Sequence, residues 1–518
     1  MREISFMKKK IRFSLAAFLL FTLIIIEHIY AGMTSYGMEG DEVFSYLSAT
    51  SMGGYKTVCW LDDQTWYPGS YFMDSLTATG AERFNVKMVF ENQAMDTHPP
   101  LYYLFLNIIC SVFTGQFSRW FGIGLNLFFL FFVGAGLFLL LNYFLKNKYL
   151  SLVLSAVFCS SYLAVDMTLF IRMYVLLMAL FLFQNWYHLV LFDKDERTVK
   201  NYIILGVITI LGAMTHYYFL VYQCLIAVWY LFGIFMRSRK IEWKYILTMA
   251  ISGIIYVILY PASLNHIIFK YRGRDAVHKF LKETSLFGDL IDMFRQFNKQ
   301  LFHGMFLPLV ALMLIATVIL LCRKKLDGKR ILYYCFLILP SIIYFWGISK
   351  ASPFVSIRYV SPVAALIFTF MVLWLKSLLS ALPGEKAGNI ILCTGLFLLA
   401  VYIPGQEIKI PTFQEKADVC EKLSATCDNC VYITGDEYNW KMWEDYVLYP
   451  QFDGLYFIDG QKLTDIKDEK LLEQKQLVVF IDRTLDREKI CDYLKQFLPE
   501  LSYQDVYETS YTYILYYS

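Results

Sequence analysis

Long apolar runs separated by short charged connectors dominate the chain. They lie at 13–35, 120–144, 149–167, 172–192, 201–217, 218–236, 245–263, 301–322, 331–348, 359–376 and 389–405. A spanning helix needs about 20 mostly apolar residues, so the pattern predicts a mainly α, polytopic membrane protein of about eleven transmembrane helices. The short connectors hold Lys8, Lys9, Lys10 and Arg12, then Lys146 and Lys148, Lys194 and Arg197, Arg237, Arg239 and Lys240, Arg323, Lys324 and Lys325, and Lys376. Basic connectors mark the cytoplasmic side, which puts the N-terminus in the cytoplasm. An odd number of spans then puts residues 406–518 outside the cell membrane.

The run 99–113 is short for a span, and counting it as one would flip every later connector. It reads instead as a helix in the interface plane, opened by Pro99. The first apolar run is too long for a signal-peptide core and shows no small-residue cleavage site, so it reads as an anchor.

These positions divide the chain into a transmembrane domain, 1–405, and an extracytoplasmic α/β domain, 406–518. The first domain carries outer loops at 37–118 and 264–300. In the second, Val431–Thr434 and Leu477–Ile481 read as buried strands. Asp486–Leu498 reads as an amphipathic helix with Ile490, Tyr493, Leu494 and Phe497 on one face, and the Tyr-rich tail 503–517 as the closure of a sheet.

Composition agrees with the hydropathy pattern. The 518 residues are 57% hydrophobic and 18% charged, and the mean hydropathy is +0.46. A net charge of +3 gives no reason to expect a nucleic-acid partner. Of the cysteines placed outside (Cys59, Cys420, Cys427, Cys430 and Cys491), Cys427 and Cys430 form a CxxC pair. A disulfide, a redox pair and half a zinc site are all open readings, although no second ligand pair completes a zinc site.

The candidate chemistry sits at the outer ends of the helices. Gly40-Asp41-Glu42 follows the first span, and Asp96-Thr97-His98-Pro99-Pro100-Leu101 opens the interfacial run. Carboxylates at the mouth of an apolar bundle are costly unless solvated, paired or used. Asp41 is the candidate general base, against a role in capping or turn solvation. Glu42 either orients an acceptor or is merely solvated. Asp96 is either a second acceptor-binding acid or a helix cap. Arg172, with Tyr174, and Arg358, with Tyr359, either bind phosphate or snorkel to head groups. His98 and His216 are donor-pocket candidates, and Lys270 and Arg272 in the second outer loop are weaker phosphate candidates.

In order and placement these motifs, with Arg172-x-Tyr174 and Arg358-Tyr359-x-x-Pro362, resemble the glycosyltransferase-C (GT-C) superfamily. The nearest branch is that of the protein O-mannosyltransferases and the lipid A aminoarabinose transferase. The resemblance covers residues 10–405 and implies transfer of a sugar from a polyprenyl-phosphate carrier to an acceptor at the outer face. An acceptor hydroxyl needs a base as it attacks the anomeric carbon. A phosphate leaving group needs cations, and arginine holds its oxygens bidentately. A single displacement inverts the anomeric centre. The partners implied are that donor, membrane lipid, and an acceptor that is a protein, a wall polymer or a glycolipid. No cofactor is implied. Asp41, Asp96 and a histidine would suit a divalent metal, but the protein O-mannosyltransferase pattern does not require one. The rival readings are a lipid or sugar transporter, for which no half-repeat is visible, and an anchored scaffold, which needs neither the many spans nor the first-loop acids.

Overall fold

The computed structural model describes residues 2–35, 37–193, 196–269, 271–282, 288–381, 384–402, 412–436, 438–509 and 511–518. The fold is mainly helical, with one sheet. Two compact units divide it. The first is Met1–Gly32, Thr97–Tyr102 and Ile123–Gln406, and the second is Met33–Asp96, Tyr103–Gly122 and Glu407–Ser518.

The first unit is a bundle of apolar helices. Among the described residues, six helices are long and apolar enough to cross a membrane: Lys10–Thr34, Arg119–Leu145, Tyr174–Phe192, Tyr217–Ser238, Ile331–Ala351 and Ser361–Leu379. Two bent pairs, Trp243–Leu259 with Ala262–Leu281 and Asp289–Phe302 with Phe306–Cys322, raise that to eight if each is one span. The protein is thus a multi-pass membrane protein. The second pair turns by 83°, where His303 and Gly304 take left-handed backbone (φ 48° and 85°). The run 149–167 is not one continuous helix. It breaks into Lys148–Cys159 and Tyr162–Leu169, and Ser161 caps the second piece by accepting from the Ala164 amide.

Apolar side chains cannot by themselves choose neighbours in lipid, so small and polar residues set the packing. A Cβ on Gly206 would lie 2.9 Å from Ser252 Oγ, so glycine lets helix Val199–Ala213 approach helix Trp243–Leu259. Gln184 donates to Thr209 Oγ1 at 3.2 Å, and His188 Nε2 meets Tyr245 Oη at 2.9 Å. Arg197 and Glu242, from two successive connectors expected in the cytoplasm, form an ion pair of 2.9 Å. Those connectors therefore share one end of the bundle.

The second unit is built on a six-stranded sheet: β1 Thr65–Pro68, β2 Asn429–Thr434, β3 Gly454–Asp459, β4 Leu477–Asp482, β5 Tyr503–Glu508 and β6 Thr512–Tyr517. Its order is β1-β3-β2-β4-β6-β5. β2 runs parallel to β3 and β4, and the other pairings are antiparallel. Alternate residues of the central strands point to opposite faces. Val431, Ile433, Val479 and Ile481 share one core with Ile490 and Leu494 of helix Arg487–Phe497. Tyr432 and Phe480 pack on the other side against Tyr449. Full burial of each Val, Ile or Leu contributes about 1.5–3 kcal/mol.

The strands expected at 431–434 and 477–481, the helix at 486–498 and the sheet-closing tail are present. β3 and β1 are additions. β1 comes from the first outer loop and pairs with β3 in the register Thr65↔Phe457 to Pro68↔Gly454. All eleven cysteines are free thiols, so the Cys427–Cys430 pair forms no disulfide here. Burial raises the thiols of Cys420 and Cys427, which suits inert packing residues.

Candidate active site

Asp41 and Glu42 open helix Gly40–Thr50 in the second unit. Glu39 is the N-cap, and the helix start is a capping box. The Glu39 side chain accepts from the backbone of Glu42, and the Glu42 carboxylate accepts from the Glu39 amide at 2.7 Å. Glu42 is 0% exposed. Asp41, one residue earlier and outside that reciprocal pair, is half-buried. The same turn receives a fourth carboxylate, since Glu444 Oε1 accepts from the Gly40 amide at 3.4 Å. A Cβ at position 40 would lie 3.2 Å from Trp443 Cβ and 3.3 Å from Glu444 Oε1, so glycine permits this approach. Burial, with the Asp41 and Glu42 charges beside it, raises the Glu444 carboxyl, while the Gly40 amide and Lys416 oppose the rise. Next along the chain, buried Asp445 ion-pairs with buried Lys416 and accepts from Thr512 Oγ1 at 3.0 Å. The sequence offered no signal for Glu444, which lies about 400 residues from Gly40.

Asp96, also in the second unit, is the C-cap of helix Val86–Met95 and is half-buried. Its own amide donates to Asn92 O at 3.1 Å.

The cationic candidates belong to the first unit, where they converge. His98 Nε2 lies 3.3 Å from Arg172 Nη2. The His98 and His216 rings are 6.1 Å apart, and Tyr174 lies 5.9 Å from His216. Tyr359 contacts Tyr174 at 6.3 Å and Tyr218 at 5.8 Å. The Arg358 guanidinium lies over Tyr359 at 5.1 Å and over Phe170 at 5.7 Å. Arg172 is buried.

Local structure explains the convergence. His216 caps helix Tyr217–Ser238, its Nδ1 accepting from the Tyr218 amide at 3.0 Å. The preceding Met214 carbonyl accepts from the Leu101 amide at 3.0 Å, which ties the start of helix Leu101–Val112 to the same turn. Tyr344 Oη anchors the Tyr359 carbonyl at 3.1 Å. His216 is buried beside His98 and Tyr174. Two guanidiniums and two imidazoles at one end of an apolar bundle suit an oxyanion. Phe170 and Tyr218 were not among the sequence candidates: Phe170 falls between the apolar runs 149–167 and 172–192, and Tyr218 opens the run 218–236.

Lys270 lies outside the described residues, as does the side chain of Arg272 in helix Tyr271–Lys282. Elsewhere in that outer loop, Lys279 pairs with Asp289 at 2.6 Å and Arg295 with Asp292 at 2.8 Å. Among the described residues, no group of three or more His, Cys, Asp or Glu side chains is placed to hold a metal ion.

No protein-family model matches the chain, and no curated protein matches it by sequence. Solved structures do. ArnT from Cupriavidus metallidurans in the apo state has a TM-score of 0.53 at 10% identity, covering 97% of this chain and 98% of that one. The same enzyme bound to undecaprenyl phosphate gives 0.51 at 9% identity, with 98% of each chain covered. The chain therefore shares the fold of ArnT over nearly its whole length. The Archaeoglobus fulgidus oligosaccharyltransferase AglB aligns over 96% of this chain and 74% of its own, at a TM-score of 0.42 and 10% identity.

Proposed function

We propose that this protein is an integral-membrane glycosyltransferase that moves a sugar from a polyprenyl-phosphate carrier to an acceptor at the outer face. The observation that carries the reading is the cluster of His98, Arg172, His216 and Arg358, lined by Tyr174 and Tyr359, in a bundle of apolar helices. Such a cluster suits a phosphate whose lipid stays in the bilayer. The shared fold with a transferase solved with undecaprenyl phosphate supports this donor class.

In this reading the guanidiniums take up the charge that develops on the carrier phosphate as the glycosidic bond breaks. Asp41 accepts the proton of the acceptor hydroxyl as its oxygen attacks the anomeric carbon. One displacement inverts that centre. Glu42, already committed to the helix cap, positions Asp41 by fixing the turn. Asp96 is the second acid available to the acceptor. Neither role requires a metal. In the same reading the N-terminus is cytoplasmic and residues 406–518 lie outside, where that domain selects the acceptor.

The test is carrier release from radiolabelled polyprenyl-phosphate sugars by the protein in nanodiscs, with crude envelope supplying acceptors. Asp41→Asn is expected to lower release by at least about a hundredfold while donor binding persists. Release that survives the substitution removes Asp41 as the base. Donor that binds but crosses the bilayer uncleaved points to a flippase.

A further inference from the structure

Within the first unit, helix Trp243–Leu259 ends at Tyr260, and Pro261 follows. The ring of a proline drives the residue before it out of the helical region, and Tyr260 takes φ −139° and ψ 76°. Pro261 then caps a new short helix, Ala262–Ile268. The break leaves the rings of Tyr260 and His266 5.9 Å apart, and both residues are buried.

Each of these two side chains reaches a segment that bears one imidazole of the cationic cluster. Tyr260 Oη donates to the His98 carbonyl at 3.4 Å, long for a hydroxyl hydrogen bond. His266 Nδ1 lies 2.7 Å from Tyr217 Oη, an ordinary distance, so this contact carries the argument. Tyr217 directly follows His216. The Leu101 amide and the Met214 carbonyl already join the two segments to each other at 3.0 Å. Residues 260–266 therefore hold both sides of one small frame. A second histidine–tyrosine bond, His188 to Tyr245 at 2.9 Å, stands elsewhere in the bundle. Tyr245 lies three residues after Glu242, at the end that holds the Arg197–Glu242 pair. The His266 bond differs from it in its address. It acts on the residue beside His216, whose ring is 6.1 Å from His98 and 5.9 Å from Tyr174.

We propose that His266 is a positioning residue for the donor phosphate: bonded to Tyr217, it fixes the turn that presents His216 to the phosphate oxygens. Tyr260 steadies the segment of His98 from the same break. The role rests on the transferase reading for the identity of the ligand. Hydrogen bonds weaken steeply with misalignment, so a site that binds one oxyanion through several side chains needs each of them held to within about 0.5 Å. His216 is set at the N-cap of its helix, and the next residue is the one His266 holds. Neither Tyr217 nor His266 has to touch the donor for this.

The test is the affinity of the full chain in nanodiscs for undecaprenyl phosphate, with thermal stability followed on the same samples. His266→Phe and Tyr217→Phe should each weaken binding about tenfold. The double variant should be no weaker than either single one, because both remove the same bond. His266→Asn keeps a polar atom on Cγ and should recover most of the affinity. Tyr245→Phe breaks the comparable bond to His188, and it should lower stability while leaving affinity unchanged. Equal binding by the parent and His266→Phe overturns the proposal, as do losses that add in the double variant. Weakening by Tyr245→Phe to the same degree also overturns it, since the effect is then a general loosening of the bundle. A parent that does not bind undecaprenyl phosphate overturns the donor reading and this role together, whereas a parent that binds beside unaltered variants overturns this role alone.

Discussion

Two glutamates meet the first turn of helix Gly40–Thr50 with opposite energetics. Glu42 closes a capping box, and removing such a partner costs about 0.5–2 kcal/mol. Glu444 reaches the same turn as a buried carboxyl whose proton is held more tightly than in the unfolded chain. An acid raised in the fold favours folding most where it is protonated in both states. That contribution falls as pH rises from the ordinary carboxylate range through the raised value. Glu444→Gln should therefore flatten the loss of thermal stability as pH rises above the ordinary carboxylate range, about pH 4. Parallel melting profiles for parent and variant would show that Glu444 does not titrate across that window.

Arg358 offers a second residue-scale prediction. Its guanidinium is spread over Phe170 and Tyr359, a geometry that lysine does not reproduce. Arg358→Ala should weaken donor binding by about 1.5–3 kcal/mol, the range for a hydrogen bond to a charged group. Arg358→Lys should restore only part of it. Equal donor affinity in all three proteins, measured in nanodiscs, would return Arg358 to a packing role.

At the scale of elements, helix Thr412–Ser424 is fastened to the sheet domain by the buried pair Lys416–Asp445. Breaking such a pair from one side leaves a buried charge. Lys416→Met should cost about 3–5 kcal/mol, and Lys416→Met with Asp445→Leu should recover most of it. Denaturant midpoints decide this, and a single variant as stable as the parent would show that the charge finds water.

Strand β1 has no comparable signal in the sequence. Thr65–Pro68 is short, half-buried and ends in proline, which suits an edge strand because proline donates no ladder bond. β2 and β4 were legible because central parallel strands, buried on both faces, read as continuous apolar runs. β3, Gly454–Asp459, is equally buried but lies between polar turns that obscured it.

At the scale of the whole molecule, the first outer loop and the C-terminal segment fold as one unit. Besides β1, they are joined by Ser75 Oγ with Tyr446 Oη at 2.5 Å and by the Gly69 amide to Asp453 O at 2.9 Å. A Cβ on Gly69 would lie on the Phe452 carbonyl, so that approach requires glycine. Truncation after residue 405 should therefore expose 51–75 to limited proteolysis. The cationic cluster, whose residues all lie in the other unit, should still bind donor lipid. If donor binding vanishes while the truncated bundle remains folded, the carrier phosphate depends on the second unit as well.

What the sequence determined alone follows from local rules. Apolar length marked a helical bundle, period-2 and period-3.6 patterns marked two strands and the 487–497 helix, and the positions of Asp41, His98, Arg172, His216 and Arg358 beside the apolar runs named the candidate chemistry. These signals live within a window of about twenty residues. What only the tertiary structure decided depends on partners far apart in the chain. The cationic cluster joins four separate helix ends, Glu444 meets Gly40, and β1 completes a sheet begun hundreds of residues later. A carboxylate that caps a turn in its own helix is readable in sequence. One that reaches a helix from another segment is not, because nothing local to Glu444 records which amide it will meet.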